Sequence, residues 1–132
     1  MSIGLLIITH DAVGRVILET ATKIVGICPL ATELLPVPMD CDCEQRYERA
    51  LDLIQKLDSG SGVVVLTDMY GGTPSNIANR LAKAANVRVV SGINLPMVVR
   101  VLNYASLKID AVALKAQEGG REGIFICGEE CQ

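Results

Sequence analysis

One histidine occurs among the 132 residues, and it closes an apolar run, Ile3-Gly4-Leu5-Leu6-Ile7-Ile8-Thr9-His10. A neutral imidazole is a good nucleophile and a ready proton carrier near neutral pH. A second apolar run, Val63-Val64-Val65-Leu66, ends in Thr67-Asp68 and leads into Met69-Tyr70-Gly71-Gly72-Thr73-Pro74-Ser75. A carboxylate that accepts from one ring nitrogen fixes the tautomer and leaves the other nitrogen's lone pair free. Asp68 is placed to do this for His10. The amides from Gly72 to Asn76 open a helix and, with the Thr73 and Ser75 hydroxyls, form a nest for the oxygens of a phosphoryl group. These parts fit reversible phosphoryl transfer through a phosphoramidate. The same pattern admits an acid–base role for His10, and each part has a structural reading, Asp68 as a turn cap and Gly-Gly-Thr-Pro as a helix start.

The cysteines point elsewhere. There are five, an odd number that argues against a disulfide framework. The close pairs, Cys41-x-Cys43 and Cys127-x-x-x-Cys131, lack zinc-ribbon spacing, and His10 has no His partner. The expectation is reduced thiols and no metal.

The elements that must position His10 and Asp68 follow from the hydrophobic pattern. Strand signals fall at Ile3 to Ile8, Thr32 to Val37, Val63 to Leu66 and Val87 to Val90. Pro36 and Pro38 suit the second strand to a sheet edge. Helical spacing marks about Ala12 to Val25, and Asp42 with Gln45 has the pattern of a capping box before the next helix. Ser59-Gly60-Ser61-Gly62 ends that helix in a turn. Thr73-Pro74 reads as an N-cap followed by Pro at the first position of a helix to about Ala85. Pro96 opens another through about Leu107. Ile109 to Gln117 is a further helix stopped by Gly119-Gly120, and Gly123 to Cys127 reads as a final short strand.

Alternation of this kind predicts an α/β, flavodoxin-like open sheet. Four parallel strands in the order 2-1-3-4 carry helices on both faces, with a C-terminal edge strand added. Ligands of such sheets bind beyond the carboxyl ends of the strands, where the winding reverses. That crevice lies between the first and third strands, where His10 and Asp68 stand.

The totals narrow the class. A chain of this length makes one domain, residues 1–132, and it is half apolar with few aromatics and no Trp. A net charge of −3 with scattered Lys and Arg gives no footprint for nucleic acid or an anionic membrane. The run Ile3 to Ile8 is too short to span a bilayer and lacks a signal peptide's flanks, so a cytoplasmic protein without membrane insertion is expected.

Three blocks together resemble one family: Ile7-Ile8-Thr9-His10, Asp68-Met69-Tyr70-Gly71-Gly72-Thr73-Pro74-Ser75-Asn76 and Gly92-Ile93-Asn94-Leu95-Pro96-Met97. The family is enzyme IIA of the mannose type in the bacterial phosphoenolpyruvate:sugar phosphotransferase system (PTS). The likeness extends to Gly120-Arg121-Glu122-Gly123. It implies that His10 takes a phosphoryl group from HPr on Nε2 and passes it to a IIB protein, with Asp68 on the other ring nitrogen. It implies that Thr73 helps hold the phosphoryl group, and that no metal or organic cofactor is needed. It also implies a homodimer in which the last strand, Gly123 to Cys127, crosses to the partner's sheet behind Gly119-Gly120. Asp11 departs from the family by adding a carboxylate after His10. With no linker or fused IIB domain after Gln132, a free-standing carrier is expected.

Partner docking calls for an apolar rim with a basic residue, and Met69, Tyr70, Met97 and Arg100 are the candidates. Two other roles keep the phosphohistidine. One is a solitary regulatory protein read out by the charge on His10; the other is the phosphocarrier of a dihydroxyacetone kinase system, against which the Gly-Gly-Thr-Pro-Ser-Asn block argues. A flavin or nucleotide module is the competing class. It is disfavoured by the scarcity of aromatics and by the absence of Gly-x-Gly-x-x-Gly after the first strand.

Overall fold

The computed structural model of the chain describes residues 2–128. Four strands, β1 (Gly4–His10), β2 (Thr32–Val37), β3 (Val63–Thr67) and β4 (Val87–Ser91), form one parallel sheet in the order β2-β1-β3-β4. The helices are α1 (Val13–Val25), α2 (Cys43–Leu57), α3 (Thr73–Ala84), α4 (Leu95–Asn103) and α5 (Ile109–Glu122).

Two apolar layers hold the sheet. On one face Leu5, Ile7, Val64 and Leu66 pack with Val98, Val101 and Val112 of α4 and α5 and with Ala21 of α1. On the other, Leu6, Ile8, Val63 and Val65 pack with Leu53 and Ile54 of α2 and Ile77 and Leu81 of α3. Alternate residues of β1 and β3 thus go to opposite layers, and every residue of β3 is buried. That is why both strands read as unbroken apolar runs. Each buried Val, Leu or Ile contributes about 1.5–3 kcal/mol.

The edges differ from the centre. β2 is an edge strand and accommodates Pro36, which has no N–H to donate. Asp42 caps α2, its Oδ1 accepting from the backbone N–H groups of Glu44 at 3.0 Å and Gln45 at 3.3 Å. Among the described residues β4 is the other edge and pairs only with β3.

Four expectations need correction. Gly72, in extended conformation, is the N-cap of α3, so Thr73 is its first residue and Pro74 its second. α4 ends at Asn103, well before Leu107. Gly119-Gly120 does not stop α5, which runs on to Glu122. The pair lets α5 press against α4: a Cβ on Gly119 would meet Arg100 Cβ at 2.6 Å, and one on Gly120 would meet Met97 Cε at 2.9 Å. Last, residues 123–128 form no strand in this chain's own sheet.

Candidate functional site

β1 and β3 lie side by side, with Ile8 level with Thr67, so the residues that follow emerge together. One oxygen of Asp68, Oδ2, accepts twice from residue 10. The His10 backbone N–H donates to it at 2.9 Å, and ring Nδ1 lies 2.9 Å from the same atom. The other oxygen, Oδ1, accepts from the Met69 backbone N–H at 2.9 Å. Burial by itself would raise the Asp68 carboxyl. The hydrogen bonds from the His10 backbone and ring, with the attraction of the ring's charge, outweigh that and hold it below its ordinary value of 3.8. An ionised carboxylate only accepts, so Nδ1 carries the proton, and in the neutral form of the ring Nε2 presents its lone pair.

The free edge of the ring faces the start of α3. A Cβ built on Gly72 would lie 3.2 Å from His10 Cε1 and 3.6 Å from Nε2. Any side chain there would crowd the ring, so the glycine serves space rather than an unusual φ. The first backbone amides of α3 follow, with Thr73 half-buried beside them. Partial positive charge at a helix start favours an anion. The His10 side chain keeps 30% of its surface exposed, against 14% for Asp68. The nucleophile is reachable and its carboxylate partner is sheltered.

Other expected residues fall in different places. Met69 and Tyr70 are exposed next to Asp68, as a docking rim requires. Met97 is 3% exposed and belongs to the core, so it is corrected from rim to packing residue; its helical position turns it toward α5. Arg100 is engaged between α4 and α5, its stem over Gly119 and its guanidinium 3.1 Å from Glu122. Ser75 is fully buried, and its hydroxyl has no hydrogen-bond partner among the described residues. Asp11 is exposed and adopts φ 39°, a left-handed conformation in which its N–H donates to Val37 O at 3.1 Å.

Thr9 is a residue the sequence reading does not single out. It is 2% exposed, and its hydroxyl accepts the Gly14 N–H at 2.8 Å. The available signal is Ala12, at the N-cap of α1 with no side-chain acceptor to offer.

Among the described residues, Cys28, Cys41 and Cys43 are free thiols, and no group of three or more His, Cys, Asp or Glu could hold a metal ion. Cys131 lies outside the described residues. No helix among them is long and apolar enough to cross a membrane.

Comparison with known proteins finds a matching family, similar sequences and similar folds. A family model described as "PTS system fructose IIA component" (EIIA-man) matches residues 4–117. The mannose-specific EIIAB component of the PTS of Escherichia coli K12 is 32% identical over 127 residues, 94% of this chain and 39% of that protein. The chain therefore spans about two fifths of that relative's length. Among solved structures, the mannose/sorbose specific IIA subunit from Enterococcus faecalis superposes with a TM-score of 0.86 at 22% identity, covering 97% of this chain and 96% of that one. The PTS IIA protein associated with the fucose utilization operon from Streptococcus pneumoniae gives 0.83 at 24% identity, covering 98% and 96%. At such identities these two establish the shared fold.

Proposed function

The chain belongs to the mannose-type enzyme IIA family of the PTS, and from that membership we propose that it is a phosphocarrier, taking a phosphoryl group from phospho-HPr on His10 and giving it to a IIB protein. The observation that carries this reading is the pair at 2.9 Å between His10 Nδ1 and an ionised Asp68, which leaves Nε2 free against the start of α3. In the forward step the Nε2 lone pair attacks phosphorus as the phosphorus–nitrogen bond to the donor histidine breaks. The donor imidazole keeps that bond's electron pair. Asp68 stays ionised and stabilises the charge that forms on the His10 ring. The backbone N–H groups of Thr73 and Ser75 and the Thr73 hydroxyl receive the phosphoryl oxygens; Pro74 has no N–H, and that of Asn76 is given to Gly72 O. Positioning and electrostatics suffice for such a transfer, with no cofactor.

Met69 and Tyr70 form the apolar rim on which both partners dock. The working unit is a single domain that pairs as a homodimer, with the segment after α5 adding to the partner's sheet. Two features support that pairing. Among the described residues β4 has an unpaired edge, beside which runs a groove of about 620 Å³ lined by Val89, Ser91, Asn94 and Leu114. The tail leaving α5 exposes Ile124 and Ile126 at 74% and 82%. A bare apolar segment and a bare strand edge on one chain suit a reciprocal exchange.

Incubation with phosphoenolpyruvate, enzyme I and HPr is the test. An acid-labile adduct of about 80 Da is expected on the protein and not on His10→Ala. Unmodified wild-type protein, or an adduct that survives in His10→Ala, would overturn the reading.

A further inference from the structure

We propose that Thr9 is a positioning residue for the phosphoryl transfer assigned above, its buried hydroxyl clamping the end of β1 to the first turn of α1 and so fixing where the His10 ring stands. The need arises at the start of the helix. α1 begins behind Ala12, which has no side chain to cap it, and the amides of a first turn have no partners inside the helix. Gly14 is buried, so water does not serve its N–H; Thr9 Oγ1 does, at 2.8 Å. The approach is built for that contact. A Cβ on Gly14 would meet Ile7 Cγ2 at 2.5 Å and Thr9 Oγ1 at 3.1 Å. The same hydroxyl donates to the His10 carbonyl at 3.3 Å.

What the clamp holds is a strained turn. Between Thr9 and Gly14 the chain passes through Asp11 at φ 39°, a conformation that side-chain-bearing residues keep only where their surroundings impose it. Three hydrogen bonds impose it: Gly14 N–H to Thr9, Asp11 N–H to Val37 and His10 N–H to Asp68. The first closes the turn on itself. Without it, Asp11 relaxes toward negative φ and carries the neighbouring His10 with it. Successive strand residues point to opposite faces, so Thr9 looks toward α1 while His10 looks toward α3. Thr9 therefore touches neither phosphoryl group nor partner, and acts through His10. A displacement of about 1 Å at a reacting atom costs up to about 100-fold in rate.

The test uses Thr9→Val, which keeps the shape and removes the hydroxyl, with Thr9→Ser as rescue. Asp42→Ala, which removes the cap of α2, controls for loss of helix stability. Each full-length protein is phosphorylated with phosphoramidate, a small donor that needs no protein partner. Its phosphorus–nitrogen bond breaks, ammonia leaves and a bond to His10 Nε2 forms. The unphosphorylated proteins are followed by NMR for the His10 ring tautomer and the exchange rate of the Asp11 amide.

Thr9→Val is expected to react about 10- to 100-fold more slowly. Its Asp11 amide should exchange at least about tenfold faster, and Thr9→Ser and Asp42→Ala should match wild type in both respects. Thr9→Cys, with a weak acceptor of similar size, should fall between, and takes the place of Thr9→Val if that variant does not fold. Wild-type rate and exchange in Thr9→Val or Thr9→Cys would overturn the proposal, as would equal slowing in Asp42→Ala. If the wild-type protein takes a phosphoryl group from neither phosphoramidate nor phospho-HPr, the phosphocarrier reading fails. The clamp is then judged by ring tautomer and amide exchange alone: a change in Thr9→Val supports it and no change rejects it.

Discussion

The crevice beyond β1 and β3 and the outer edge of β4 are built to opposite specifications. At the crevice every polar group that orients His10 is answered within the chain, by Asp68, Val37 and Thr9. At the β4 edge the backbone is open on one side among the described residues, and Leu114, Ile124, Phe125 and Ile126 are exposed. The first region has to be rigid before a partner arrives, because a nucleophile held in place spares the transition state the cost of organising it. The second can accept a further strand. On the function proposed above, one small sheet keeps its chemistry in its centre and its assembly at its rim.

Substitutions at the centre and the rim should therefore fail differently. The largest effect is expected at Asp68: Asp68→Asn can offer its amide to the ring and so favour the wrong tautomer, slowing phosphorylation of His10 by about 10³–10⁴-fold with the fold intact. Rapid-quench phosphorylation with circular dichroism checks both halves of that statement. Asp68 also links the site to pH. Its folded-state value lies below its unfolded one, so the stability it adds is fully present above the unfolded value near 3.8. That stability is lost as pH falls through the lower folded value, and Asp68→Asn should flatten the acid limb of a denaturation series.

Removal of residues after Gly123 should leave phosphorylation by phosphoramidate within about twofold of wild type while shifting sedimentation from dimer to monomer. A truncated chain that remains a dimer would break the comparison at the rim. Gly72→Ala puts a methyl 3.2 Å from His10 Cε1 and should slow phosphorylation by about tenfold with little change in stability. The smallest effect is expected at Asp11. Asp11→Gly relieves the left-handed conformation, with a gain of about 0.5–1 kcal/mol in chemical denaturation, and changes the transfer rate by no more than about threefold. A large rate change there would mean that the exposed Asp11 carboxylate acts on the phosphoryl group.

The sheet was legible because its two central strands are wholly apolar runs, and the strand order followed from which runs were purest. The His10–Asp68 pairing was legible because strand ends are where such a sheet places its chemistry. What escaped the sequence was decided by packing between distant residues. Gly119 and Gly120 look like a helix stop, yet they are the contact surface for Arg100 and Met97, which lie some 20 residues earlier. Met97 looks like a rim residue because methionines suit docking surfaces, and only the angle at which α5 lies on α4 buries it. The cap of α1 comes from a strand residue, Thr9, which a search for caps immediately before the helix passes over.

The two reacting-site residues are separated by 58 positions along the chain. Between them lie α1, β2 and α2, and β3 must dock on β1 before Asp68 can reach His10. Contacts so far apart in sequence close late, after local helices have formed. An unfinished chain, or one with β3 undocked, has a histidine but no carboxylate to set its tautomer. If the chain carries phosphoryl groups as proposed, their uptake on His10 at full rate therefore reports a sheet in which β3 has docked on β1.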